Sequence, residues 1–219
     1  METLSFTQEY FLCAINSKGN IPLLKDVEIP VCFIAGGIME LLNHGYIARV
    51  EKDKLVADQT WDDGLPYLKP LYDAIASSKK AKDAKNFTLA FWESNKQRDR
   101  LISAFGVSLL EAGCVDELTN QGLTKKKTKY VPKEKAVTKI IEKIRAEFLE
   151  DGALTEETIY LAVLLEKSGL ICDFFSKVEQ GKLKERIKEV RDSEAYALVK
   201  KIRDYIESLI VIFIASSAH

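Results

Sequence analysis

The sequence predicts a mainly α fold: one compact helical domain over residues 1–219, with a central apolar helix pair and short β-hairpins. Three observations predict it. A helix-closing phrase recurs four times, in which a leucine-rich run carries a glutamate and, a few residues on, a glycine followed by apolar residues: Glu40 to Gly45, Glu111 to Gly113, Glu150 to Gly152 and Glu166 to Gly169. Glycine adopts the left-handed conformation that ends a helix without steric penalty, and the next apolar residue can fold back on the last turn. Apolar residues also recur at helical spacing, most clearly at Val137, Ile140, Ile141, Ile144 and Phe148. Strand-like alternation, by contrast, is confined to two short stretches, near Tyr46–Ala57 and Thr128–Val131.

Taken in order, Ser5-Phe6-Thr7-Gln8 has capping-box form and opens a helix through about Ile15. After Ser17-Lys18-Gly19-Asn20, helical spacing resumes from Val31 to Asn43, with Gly36 and Gly37 permitting close helix packing. Tyr46–Ala57 reads as a hairpin around a charged turn, and Trp61-Asp62-Asp63-Gly64-Leu65-Pro66 as turn chemistry. Tyr67–Ile75 forms a short helix with Pro70 near its start, and the polar stretch Ser77–Lys85 is the candidate mobile loop. A helix over Phe91–Leu110 carries Lys96, Arg98 and Arg100 on its exposed face.

Lys125, Lys126, Lys127, Lys129, Lys133 and Lys135 then crowd a predicted hairpin, with Pro132 placed in the first turn of the helix that follows. Thr155 caps the next helix, whose Ile159–Leu165 stretch is apolar nearly all round. That stretch is paired with the run Leu209–Ala215 as the central helices; Leu183–Val190 lies between, and Asp192-Ser193 caps the last helix. Leu209–Ala215 is far short of the roughly 20 residues that span a bilayer.

Composition narrows the function. A formal net charge of −1 removes any global electrostatic case for nucleic acid, so an anionic partner has to be met by a local patch. Cys13, Cys32, Cys114 and Cys172 lack CxxC spacing and read as reduced core thiols. The first residues lack the basic n-region of a signal peptide, and an intracellular, cytoplasmic protein is expected. With histidine only at 44 and 219, neither beside an acid or nucleophile at motif spacing, no catalytic residue, metal site or cofactor is expected. His44 reads as a capping or surface residue, and Trp61 and Trp92 as partly buried core. The lysine cluster is the functional candidate, because cations near an anionic membrane contribute roughly 1 kcal/mol each.

The whole pattern resembles the Golgi phosphoprotein 3 family. The resemblance rests on Phe6–Leu12, on Ile38–Leu41 closing at Gly45-Tyr46-Ile47, and on the Asp-Gly-Leu-Pro turn leading to Leu71–Ile75. It continues through Leu109–Val115, the basic hairpin ending Tyr130-Val131-Pro132, and the closing apolar helices. It implies a mostly helical domain, without catalytic activity, that binds phosphatidylinositol 4-phosphate headgroups at a membrane face. In eukaryotic members this docks an adaptor on Golgi membranes, and the protruding hairpin contributes to self-association; bacterial relatives lack a Golgi. Where lipid-binding members place a tryptophan and three arginines, this chain has Lys25, Ile34, Asp99 and Ile102, so the family's headgroup residues are not matched.

The expected function is a peripheral, membrane-associated binder of anionic phospholipid or phosphoinositide headgroups. Its candidate residues are Lys96, Arg98, Arg100, Lys125, Lys126, Lys127 and Lys129. The alternatives are an interaction module that homo-oligomerises through the 122–132 hairpin and, ranked lower, a winged-helix nucleic-acid binder on Val31–Ala57.

Overall fold

Ser5 caps α1 (Phe6–Ala14) reciprocally: its Oγ accepts from the Gln8 amide at 3.3 Å, and Gln8 Oε1 accepts from the Ser5 amide at 3.0 Å. The structure is a computed structural model that describes residues 3–21, 28–120, 127–150 and 152–192. Every residue of α1 is buried, because α2 (Glu28–Asn43), α5 (Asn95–Glu111), α6 (Glu134–Phe148) and α7 (Glu156–Lys167) all pack on it. The two mid-helix glycines make this possible. A Cβ on Gly36 would lie 3.1 Å from Leu164 and Thr7, and one on Gly37 2.8 Å from Leu71. Phe11, Phe33, Phe105 and Tyr67 interlock at the centre with ring centroids 4.8 to 5.2 Å apart.

The fold is mainly α, as predicted, with two small antiparallel sheets among the described residues. Strands β1 (Ile47–Val50) and β2 (Lys54–Ala57) form the first hairpin, and β3 (Val115–Asn120) and β4 (Lys127–Pro132) the second. Between them run α3 (Lys69–Ala76), entered through a 3-10 turn at Pro66–Leu68, and α4 (Ala84–Glu93); α8 (Ile171–Phe174) and α9 (Lys177–Asp192) complete the described chain.

Gly45, Gly113 and Gly169 have φ of +74°, +71° and +78°, the left-handed closures the repeated phrase predicts. Gly152 is required for another reason: a Cβ there would stand 2.5 Å from the Ala146 carbonyl oxygen.

Several expectations are corrected. The helix expected over Phe91–Leu110 is two helices, because Ser94 ends α4 and its Oγ accepts from the Gln97 amide to start α5. The Ser77–Lys85 connection is tied down: the Leu55 amide donates to the Lys82 carbonyl at 2.9 Å, and Asp83 bridges Lys54 and caps α4. Pro132 is the last residue of β4, opposite Val115, where a missing amide is tolerated, and Lys133 is the helix N-cap. Cys172 is exposed, whereas Cys13, Cys32 and Cys114 are buried; all four are free thiols. Of the expected central pair, α7 is buried along Thr158–Leu165 against α1 and α2, while Leu209–Ala215 and the Ser193 cap lie outside the described residues.

Candidate mixed-charge cleft and its acidic neighbour

Helix α5 positions the candidate cations. It starts sharply at Ser94, and Lys96 and Arg100 then stand one turn apart on its solvent side. Both line an open cleft of about 660 Å³, walled by Pro66, Tyr67 and Pro70 and continued along α5 by Ser103. Asp99 and Glu111 lie on the same lining, so the cleft carries both signs of charge. Arg100 Nη2 is 3.7 Å from Asp73 Oδ2 on α3. Lys69, one turn earlier on α3, also binds Asp73 and sits 5.5 Å over the ring of Trp61 and 5.8 Å over that of Tyr72.

Arg98 turns the other way. Its guanidinium donates to the Trp92 carbonyl at 2.5 Å and to Asn95, and lies 4.8 Å from the Trp92 ring centroid. It closes the α4–α5 junction and does not line the cleft. Lys129 is half-buried midway along the second hairpin, opposite Leu118, where a Cβ on Gly19 would lie 2.9 Å from its own Cβ. Lys127 begins β4 opposite Asn120, and Lys125 and Lys126 lie outside the described residues. The hairpin packs through Tyr130 against Gly106, about a third of a turn around α5 from Arg100. Cleft and hairpin base therefore occupy neighbouring flanks of one helix.

The family's headgroup positions remain unmatched. Ile34 is fully buried, Ile102 is half-buried against the core, Asp99 lines the cleft with the wrong charge, and Lys25 lies outside the described residues.

Behind Tyr67 lies a second cavity of about 570 Å³, where the ends of α1, α2, α5 and α7 converge. Its floor is Glu40, only 2% exposed. Tyr67 Oη donates to Glu40 Oε1 at 2.5 Å, while Thr7 Oγ1 and Ser5 Oγ donate to Oε2, the latter at 3.2 Å. Burial pushes the Glu40 carboxyl above its ordinary pKa, and these hydroxyls pull it part of the way back. Glu9, buried beside Lys143, is raised for the same reason, with Lys143 opposing the shift. The sequence signal for Glu40 was its place inside the apolar run Ile38-Met39-Glu40-Leu41-Leu42, where a carboxylate has to be buried and needs donors.

The described residues thus define a mainly helical protein with a mixed-charge cleft, and none of their helices is long and apolar enough to cross a membrane. Residues 7–209 match the family described as Golgi phosphoprotein 3 (GPP34), nearly the whole chain, and the chain belongs to that family. No curated protein matches it.

Proposed function

We propose that this protein is a non-enzymatic, peripheral membrane protein that binds the phosphate of anionic lipid headgroups. The observation that carries the reading is the placement of Lys96 and Arg100, one turn apart and exposed, on an open cleft large enough for a headgroup. Lys127 and Lys129 on β4, together with Lys125 and Lys126 just before it in the sequence, would add long-range attraction, each near-surface cation contributing roughly 1 kcal/mol. Arg98, committed to the α4–α5 junction, contributes charge at the same helix end and no direct contact. Family membership supports an adaptor-like binder, and the unmatched headgroup positions favour general anionic-lipid binding over selectivity for phosphatidylinositol 4-phosphate.

The test is co-sedimentation with vesicles of phosphatidylcholine alone, or doped with phosphatidylglycerol or phosphatidylinositol 4-phosphate. Binding to both anionic vesicles at low salt, weakened as salt shortens the screening length to roughly 8 Å at physiological strength, is expected. No binding to either, or binding unaffected by replacing the hairpin lysines with glutamate together with Lys96 and Arg100, refutes the reading.

Leu118, half-exposed on β3 opposite Lys129, favours a second reading, self-association through the 122–132 hairpin. Light scattering on a chain lacking residues 123–129 separates the two, since loss of an oligomer with lipid binding retained supports this one. The winged-helix reading finds little support, because α2 is buried from Ile29 to Leu41 and has no long face to offer a DNA groove.

A further inference from the structure

We propose that Asp73 is an internal counter-ion that sets how strongly the cleft takes a lipid phosphate, by holding Arg100 until the phosphate replaces it. The proposal rests on the lipid-binding reading above and assigns a regulatory residue to that same cleft.

The two oxygens of Asp73 face different cations. Oδ1 is bound by Lys69, which is placed one turn earlier on the same helix and lies over the faces of Trp61 and Tyr72. Oδ2 faces Arg100 at 3.7 Å, beyond the roughly 3.2 Å of a good hydrogen bond, so this contact is one of charge alone. Arg100 keeps 51% of its side chain exposed and lines the cleft, whereas the Asp73 carboxylate stays on α3 behind it. A phosphate entering between Lys96 and Arg100 offers charge-assisted hydrogen bonds that the present contact lacks. When Arg100 moves to it, Lys69 still neutralises Asp73, and the exchange strands no carboxylate. Until then Asp73 competes with an incoming phosphate for Arg100, one of the two cations on the lining. Asp99 and Glu111 stay on the lining in both situations and form a fixed background.

The experiment is sedimentation of the full chain with vesicles of phosphatidylglycerol in phosphatidylcholine at low salt. Asp73→Asn should tighten binding about fivefold, because Arg100, freed of its counter-ion, then acts as one additional near-surface cation in the cleft. Glu185→Gln removes the same charge from an exposed site on α9, which packs on α6, α7 and α8 and supplies no residue to the cleft, and should change binding little because charges beyond roughly 8 Å are screened. In an Arg100→Gln background the gain from Asp73→Asn should disappear, and Asp73→Glu, which keeps the charge, should give none. An Asp73→Asn protein no tighter than wild type, or a gain that survives Arg100→Gln, overturns the counter-ion role while leaving the lipid reading standing. A wild type that fails to sediment with these vesicles overturns the lipid reading itself, and the role of Asp73 with it.

Discussion

Tyr67 separates two clusters of charge that are assembled on opposite terms. On its inner side Glu40 is buried, touched by three hydroxyls from α1 and the Pro66–Leu68 turn, and closed over by four helix ends. On its outer side Arg100 and Lys96 are exposed, and the Asp73 carboxylate facing Arg100 lies too far away for a hydrogen bond. A buried charge with its donors in place is part of the fold, because removing any partner leaves a desolvated polar group behind. An exposed charge with a loose partner has little effect on the fold and is available to a ligand. The difference says where to look for function in this molecule: outside Tyr67, not behind it.

The largest effect expected from a single change tests the packing that underlies both clusters. Gly106→Val would drive a side chain into the buried ring of Tyr130, whose carbons already lie 2.1 to 2.4 Å from an added Cβ. Overpacking of this kind should destabilise by about 3 kcal/mol, measured by urea unfolding, and displace the second hairpin from α5. Glu40→Ala follows, at about 2 to 3 kcal/mol, because Ser5, Thr7 and Tyr67 each lose their acceptor. If it unfolds no more easily than wild type, the inner cluster is not structural and the comparison fails.

The inner cluster also carries a pH signature. The Glu40 and Glu9 carboxyls titrate above their ordinary values in the folded state, so the folded protein binds their protons more readily than the unfolded chain. Their contribution is then fully present below the unfolded carboxylate pKa and is lost as pH rises through the raised folded values. The stability of wild type relative to Glu40→Gln should accordingly fall as pH climbs from the acid side toward neutrality, and a rise would contradict the assignment.

Smaller still is Ser94→Ala. It removes the N-cap that starts α5 and should cost about 1 kcal/mol, read as a lowered melting temperature with the cleft residues otherwise retained.

What could be read from the sequence follows the range of the interactions. Caps and closures are local, so Ser5, Thr155, Gly45, Gly113 and Gly169 announced themselves, as did the need for glycine at 36 and 37 inside a helix. The break at Ser94 is equally local, since Ser94-Asn95-Lys96-Gln97 has the same capping form as Ser5-Phe6-Thr7-Gln8, but apolar residues continue at helical spacing on both sides and hide it. The cleft was half legible. Lys96 and Arg100 were recognisable as an exposed basic turn, but their walls come from the Pro66–Leu68 turn and α3, and only folding brings those to α5. Arg98 shows the limit of reading charge alone, since its chemistry is settled by the Trp92 carbonyl and ring. The partners of Glu40 lie 27 to 35 residues away in the chain, beyond any spacing rule.

The most direct test of the central claim compares wild type with the Lys96→Gln/Arg100→Gln double variant on phosphatidylglycerol-containing vesicles, with unfolding followed in parallel. The outer cluster should matter for binding and not for folding: affinity should drop by about 2 kcal/mol, one for each cation removed, with the urea midpoint unchanged. Equal affinity of the two proteins would contradict the account.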